Sequence, residues 1–172
     1  ENDDIAHVTV AINPVNDIEI VNTELLLADL QTLERGLEKA ERQAKTARKE
    51  DIVWRALLIR LRDHLDKGLP GSKFAASAEE RVALSELQLL TAKPVMYVAN
   101  VDEQYVTADG SANQYVTEVR SIAEAQGAGL VVICAALEAE LAQLDEEDKQ
   151  VFLRDLGLEE PGLDRVIRAG YQ

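Results

Sequence analysis

An amide and two carboxylates follow directly after an apolar run in the middle of the chain. The run is Val95 to Ala99, and the polar residues that come next are Asn100, Asp102 and Glu103. An amide donates and accepts hydrogen bonds and a carboxylate accepts them, so Asn100 and Glu103 could recognise the edge of a heterocyclic base. Alternatively, the carboxylates are solvated loop charges beside the next helix, and spacing alone favours this second interpretation.

A second apolar run ends in residues that could serve the same site. This run is "GLVVICAA", Gly129 to Ala136, and its last residues are Cys134, Ala135 and Ala136. In an open parallel sheet, ligands bind beyond the carboxyl ends of the strands. Small residues at the end of the second strand would let its backbone approach a ring closely. We therefore expect the loops after the two strands to meet at one edge of a sheet.

The elements around these two runs predict a parallel α/β sheet with right-handed crossovers. Both runs are nearly continuous in apolar residues, which predicts strands that are covered on both faces. A helix is expected between them, from about Asn113 to Ala125. Three helices should follow: one over "LEAELAQ", one capped by Asp145 and reaching Leu156, and one that begins near Pro161 and ends near Gly170.

The first part of the chain predicts a strand and then two long helices. Residues 5–11 form the expected strand, "NPVND" at 13–17 the loop, and Asn22 the N-cap of the first helix. The first helix carries an apolar seam with alternating spacings of four and three residues, at Leu26, Leu30, Leu33, Leu37, Ala40, Ala44 and Ala47. The second helix repeats the spacing at Trp54, Leu58, Leu61 and Leu65.

Two seams joined by a short polar turn indicate an antiparallel helical hairpin, although two ordinary amphipathic helices on a globular core would give the same pattern. Residues 68–77 are expected to be a loop. Ser77 and Glu80 fit a capping box for a helix from about Ala78 to Leu90.

Charge is distributed unevenly along the chain. The net charge is −14, but residues 35–73 carry +5 and the remainder −19. Four basic residues lie at the tip of the proposed hairpin, namely Arg42, Lys45, Arg48 and Lys49. They could face RNA phosphates, or they could be the solvated face of a coiled coil. The heptads could also mediate self-association.

Other types of site find little support. Cys134 is the only cysteine, so an internal disulfide and a cysteine-based metal site are excluded. His7 and His64 have no partners at metal-ligand spacing, so we expect no metal ligands in this chain and assign both histidines to packing or solvent. No Ser-His-Asp set, signal peptide or membrane-length apolar run is visible, and a cytoplasmic location is the simplest expectation. The first residue is Glu rather than Met, which suggests a piece of a longer protein.

Three stretches of the chain resemble one protein family. "NPVNDIEIVNTELLLADLQTLER", "KPVMYVANVDE" and "LEEPGLDRVIRAGY" are similar, in this order, to segments of the YchF (Obg-like ATPase) family of P-loop NTPases. The resemblance implies a partial P-loop NTPase sheet with an inserted coiled-coil hairpin. It divides the chain into residues 1–21 and 77–172 of the nucleotide-binding domain and a hairpin at residues 22–76.

The resemblance gives the polar cluster a function. In GTPases the base motif is Asn-Lys-x-Asp, whereas this chain has Asn100, Val101, Asp102 and Glu103. In the family the altered motif accompanies a preference for ATP. By resemblance, Asn100 and the backbone at Val101 would contact adenine and Glu103 would help to discriminate bases. Cys134, Ala135 and Ala136 would line the base from the second loop.

The resemblance also indicates which parts to look for elsewhere. The sequence contains no G-x-x-x-x-G-K-[ST] phosphate loop, and "PGSK" at residues 70–73 does not fit one. We therefore expect no catalytic residues in this chain, and Mg²⁺ and phosphate ligands outside it. The family implies ATP and the ribosome or ribosomal RNA as partners, with no membrane and no DNA. The alternative is a helical-hairpin module that docks on RNA or protein, with the α/β part as a platform.

Overall fold

The computed structural model describes residues 12–45 and 48–171. The strand predicted at residues 5–11, His7 and Ala47 of the first seam lie outside them. This part of the chain contains eight α-helices: α1 Pro14–Ala44, α2 Lys49–Leu65, α3 Ala78–Ser85, α4 Glu103–Val106, α5 Gln114–Gln126, α6 Ala135–Leu141, α7 Glu146–Asp155 and α8 Gly162–Gly170. Its two strands are β1 Met96–Asn100 and β2 Gly129–Ile133.

The described residues divide into two compact units. The first, here the helical unit, runs from Asn16 to Pro94; the second, here the α/β unit, comprises the residues from Val95 onward and those before Asn16. Residues 77–94 therefore belong to the helical unit, whereas the predicted boundary lies between residues 76 and 77. The assignment of these parts to functional domains stays a prediction.

Helices α1 and α2 form the predicted hairpin. The seam residues Leu33, Leu37 and Ala40 are buried against their counterparts Leu58, Leu61 and Leu65, and the other described leucines of the seam and Trp54 pack at the edges of the cluster. The helices run antiparallel, since Glu41 near the end of α1 faces Arg55 near the start of α2, at 3.6 Å. Burial of these leucines supplies most of the driving force for the pairing.

The predicted loop at residues 13–17 and the predicted N-cap at Asn22 are wrong, because α1 begins at Pro14. Proline suits the first helical position, where its fixed φ matches the helix and its missing N–H is not needed. Asp17 lies in the first turn, where a negative charge interacts favourably with the helix dipole. The turn-forming residues therefore begin a helix here instead of a loop.

Helix α3 ends at Ser85, so the prediction that it reaches Leu90 is also wrong. The capping box is confirmed: the Ser77 hydroxyl accepts from the Glu80 N–H, and the Glu80 carboxylate accepts from the Ser77 N–H. Beyond the helix, Gln88 adopts a positive φ of 52°. The backbone leaves the helical path because the N–H groups of Leu90 and Thr91 bind the carboxylate of Asp29 at 2.6 and 2.8 Å.

In the α/β unit, β1 and β2 pair in parallel with Met96 opposite Gly129 and Asn100 opposite Ile133. Helix α5 connects the strands, capped by Asn113, and both α5 and α8 contact the two strands. The predicted helices over the last third of the chain are confirmed, with Asp145 as the N-cap of α7.

The strands are covered unequally, which corrects the expectation that both are buried on both faces. Val131 and Val132 of β2 are buried, but Val98 of β1 is 44% exposed. Within residues 12–45 and 48–171, β1 has β2 as its single neighbour. Helices α5 and α8 both pack more extensively on β2 than on β1, and this explains the exposure of Val98. None of the described helices is long and apolar enough to cross a membrane.

Candidate functional site

The loops after β1 and β2 are joined by a side-chain hydrogen bond. The Ala135 N–H donates to Asn100 Oδ1 at 2.9 Å, and the Val101 N–H donates to the Ile133 carbonyl at 2.8 Å. The second bond extends the parallel ladder past the end of β1. The first fixes the start of α6 against the end of β1, so the two loops predicted to meet do so at this edge.

Asn100 therefore has a defined orientation. Its Oδ1 accepts from Ala135, and its Nδ2 group supplies the donors for any further contact. Both Asn100 and Ala135 are exposed, so this edge is open to a ligand. The arrangement presents an amide donor on a backbone that the β ladder holds in place.

Val101 presents its backbone, and not its side chain, at the edge where the two loops meet. The side chain packs against the buried cluster of Val106, Cys134 and Leu137. The N–H is already bonded to Ile133, so the carbonyl is the backbone group of Val101 that could bind a base. A lysine at this position, as in the Asn-Lys-x-Asp pattern, would have to leave the cluster to reach solvent.

The segment Cys134 to Ala136 forms the start of α6. Cys134 is buried, and its carbonyl accepts the N–H of Glu138 at 3.0 Å. Ala135 and Ala136 are exposed. The two alanines therefore offer a small, accessible surface beside Asn100, while Cys134 packs beneath them as a core residue.

Glu103 lies farther along the same loop. It is the first residue of α4, it is exposed, and it lines an open depression together with Thr107 and Leu156. It takes no part in the bond between Asn100 and Ala135. The structure thus brings Asn100 together with residues 134–136 and places Glu103 on the neighbouring helix.

Sequence reasoning missed Glu138, which connects this site to the last helix. Its carboxylate accepts the Gly162 N–H at 2.7 Å and the Leu163 N–H at 3.1 Å, and so caps the start of α8. A signal was available, because Pro161 precedes α8 and has no side-chain group that could cap it. An acceptor from elsewhere was therefore required, although the sequence does not show which one.

The four basic residues predicted at the hairpin tip are all exposed. Arg42 lies in the last turn of α1 with its Nε donating to the Glu38 carbonyl, and Lys49 begins α2. Lys45 and Arg48 lie between these helices. The structure therefore presents four cations near the turn that connects α1 and α2.

His64 has the packing role that was expected of it. Its Nε2 donates to the Pro70 carbonyl at 3.0 Å, and its ring meets the edge of Phe74 at 5.4 Å between centroids. In the described part of the chain, no group of three His, Cys, Asp or Glu side chains is arranged to hold a metal ion.

Comparison with known proteins gives one consistent result. The chain is 46% identical over 173 residues to the ribosome-binding ATPase YchF of Escherichia coli O157:H7, and 38% identical over 169 residues to that of Bacillus subtilis. The alignments cover 100% and 98% of this chain and 46% of each relative. The chain thus spans about half the length of the curated relatives it matches. No protein-family model matches the sequence.

The fold gives the same result. The structure of the Schizosaccharomyces pombe YchF GTPase superimposes with a TM-score of 0.82 at 27% identity. The match covers 99% of this chain and 47% of the other. The α/β architecture with a helical hairpin is therefore the one found in that part of the fission yeast protein.

Proposed function

Since the chain belongs to the YchF family, we propose that it supplies the base-recognition part of a P-loop NTPase that binds and hydrolyses nucleotide and acts with the ribosome in the cytoplasm. The bond between Asn100 and Ala135 is the observation that carries the proposal. It joins the two loops that a base would have to contact, and it leaves the amide nitrogen of Asn100 to donate.

The groups at this edge favour ATP over GTP. Adenine carries an amino donor where guanine carries the O6 acceptor. The Val101 carbonyl accepts hydrogen bonds and cannot donate them, so it attracts the amino group of adenine and repels the O6 of guanine. The Asn100 amide nitrogen can donate to a ring nitrogen of either base. Glu103 replaces the shorter carboxylate that accepts from guanine, which weakens that alternative further.

Phosphate and Mg²⁺ would be held by residues outside those described. Phosphoryl transfer depends mainly on contacts to phosphate oxygens and the metal, and base contacts mainly orient the nucleotide. The sequence contains no phosphate-binding loop. The 172-residue chain by itself is therefore expected neither to hydrolyse ATP nor to bind it tightly. Micromolar ATP binding by this chain alone would contradict the proposed division of the site.

Base preference can be tested after the amino-terminal segment of the Escherichia coli relative is joined to this chain. Asn100→Asp keeps an oxygen for the Ala135 N–H but removes the amide donors, so we expect about tenfold weaker ATP binding. Asn100→Ala should weaken binding as much and should also loosen the two loops. Displacement of a fluorescent nucleotide measures both affinities.

A second pair of variants tests discrimination between bases. Glu103→Asp restores the shorter carboxylate and should raise GTP affinity relative to ATP, whereas Glu140→Asp on the exposed side of α6 serves as a matched control. If Asn100→Asp leaves ATP affinity unchanged and Glu103→Asp leaves the ratio of ATP to GTP affinity unchanged, the assignment of this edge to the base is wrong.

The exposed basic tip supports a second role, docking on RNA. If each of the four cations contacts a phosphate, removing all four should make the slope of log K against log salt shallower by about three. The test is binding of ribosomal RNA fragments to the variant in which Arg42, Lys45, Arg48 and Lys49 are glutamine. Arg62→Gln with Lys67→Gln, in the last turn of α2 and just beyond it, is the control. An unchanged salt dependence would mean that the four basic residues are solvated and do not contact RNA.

A further inference from the structure

A cleft of about 450 Å³ lies within the helical unit. Its large apolar lining residues are Leu61, Phe74, Leu84 and Leu89, of which Leu61 and Leu89 are buried. Pockets that bind small molecules commonly have volumes of about 300–1,000 Å³ and combine an apolar lining with a few polar groups. The cleft therefore has the size and the floor of a small-molecule site.

The charge of this cleft is opposite to that of the chain. Arg81 and Lys93 line it, and none of its lining residues is Asp or Glu. The whole chain has 32 acidic residues and a net charge of −14. A cleft lined by two cations and no carboxylate, within so acidic a chain, selects for an anion by electrostatic complementarity.

The walls of the cleft are held in place by contacts behind them. The Gly71 N–H donates to Thr91 Oγ1 at 2.8 Å, and that hydroxyl donates to the buried carboxylate of Asp29 at 2.7 Å. Phe74 is packed by the ring of His64 and by the Arg60 guanidinium, which lies 5.5 Å from the ring centre. Walls that are ordered in advance lower the cost of binding.

The carboxylate that precedes Arg81 on α3 is already engaged in other contacts. Glu80 binds Arg60 at 2.6 Å and the Ser77 N–H at 2.9 Å, so its charge is directed to those groups. Arg81, the next residue, is anchored by its Nε to the Ala76 carbonyl at 3.2 Å. The terminal nitrogens of its guanidinium form a planar pair of donors that fits a carboxylate.

We propose that this cleft binds a small amphipathic carboxylate, with its apolar body on Phe74, Leu84 and Leu89 and its carboxylate near Arg81 and Lys93. No residue of the base site contributes to the cleft, so this proposal does not rest on the proposed function. It gives the helical unit a ligand-binding role in addition to the proposed role of its hairpin.

Titration of the full 172-residue chain with decanoate, followed by NMR or calorimetry, tests the proposal. Decylammonium has the same tail and the opposite charge. Nonspecific binding to so acidic a chain would favour the cation, whereas we expect decanoate to bind at least about tenfold more tightly. Equal or tighter binding of decylammonium would overturn the proposal.

Two variants locate the binding. Lys93→Gln should weaken decanoate binding about three- to tenfold, because it removes one charged contact. Ser85→Tyr should abolish it by filling the cleft, since Ser85 is an exposed lining residue. Lys67→Gln, which lies outside the lining, should have no effect. The fluorescence of Trp54, the only tryptophan, shows whether each variant folds. Decanoate binding that persists in folded Ser85→Tyr would place the site elsewhere.

Discussion

The helical unit and the α/β unit each have a buried apolar core, and they differ in where polar side chains bind backbone groups. In the helical unit, leucines form a continuous buried cluster, and a single buried carboxylate, Asp29, holds a distant loop. In the α/β unit, polar side chains bind the backbone N–H groups at the starts of helices α6 and α8. Asn100 binds Ala135, and Glu138 binds Gly162 and Leu163.

The leucine contacts set the shape of the helical unit, whereas the hydrogen bonds set the geometry of the candidate site. Contacts among leucines hold two helices together but do not fix any single loop. A side chain that binds a backbone N–H fixes that loop to within the geometry of a hydrogen bond. The α/β unit uses such bonds where its candidate ligand would lie, as a site that orients a base requires.

A change at Asp29 should give the largest effect on the helical unit. Asp29 is 1% exposed and accepts from the Leu90 N–H, the Thr91 N–H and the Thr91 hydroxyl. Asp29→Ala leaves these buried donors without their acceptor, and we expect a loss of about 3 kcal/mol or more in unfolding free energy. Urea unfolding followed by Trp54 fluorescence measures this unit, because Trp54 packs against its core.

Asp63→Ala is the control for Asp29, because its side chain is 57% exposed on α2. It should change the unfolding free energy by less than about 0.5 kcal/mol. Hydrogen exchange at Val131 and Val132 should be unaffected by either variant if the two units are stabilised separately. Equal losses of stability in both units would show that the two units are not stabilised separately.

A change at Gly162 should give a smaller effect, confined to the α/β unit. A Cβ at this position would lie 2.8 Å from Glu138 Oε1 and 2.9 Å from Ile133 Cγ2. Gly162→Ala should therefore displace the cap of α8 and destabilise the unit by about 1–3 kcal/mol. Faster hydrogen exchange in β2, with an unchanged Trp54 transition, is the expected result.

Gly170 provides the matched control in the same helix. A Cβ there would have no atom within 4 Å, so Gly170→Ala should be neutral or slightly stabilising. If both alanine variants behave alike, the close approach of Glu138 to α8 is not what holds this helix.

Local patterns predicted the parts of the fold that depend on neighbouring residues. The seam at Leu33 and Leu37 follows from helical periodicity, and the caps at Ser77 and Asp145 follow from residue type next to a helical pattern. These features require only a few adjacent residues. The hairpin and the parallel pair of strands could therefore be inferred from the sequence.

Features that depend on distant residues could not be predicted. Asp29 lies 61 residues from Leu90, and nothing in its helical segment indicates which loop it will bind. The end of α3 at Ser85 follows from that bond, which explains why its predicted end was wrong. At the candidate site, the approach of Asn100 to Ala135 was expected from the strand order, but the cap formed by Glu138 was not.

The smallest effect should come from Glu80, a half-buried carboxyl of the helical unit. The Ser77 N–H first, and the Arg60 guanidinium second, hold the pKa of this carboxyl below its ordinary value of 4.5. The ionised form therefore favours the folded state. This contribution is complete above the ordinary pKa and is lost as the pH falls through the lower pKa of the folded state. Glu80→Gln should lower Tm at neutral pH, and the difference from the parent chain should shrink on acidification, whereas Glu86→Gln serves as the exposed control. A difference that stays constant with pH would mean that Glu80 acts through the geometry of its cap and not through its charge.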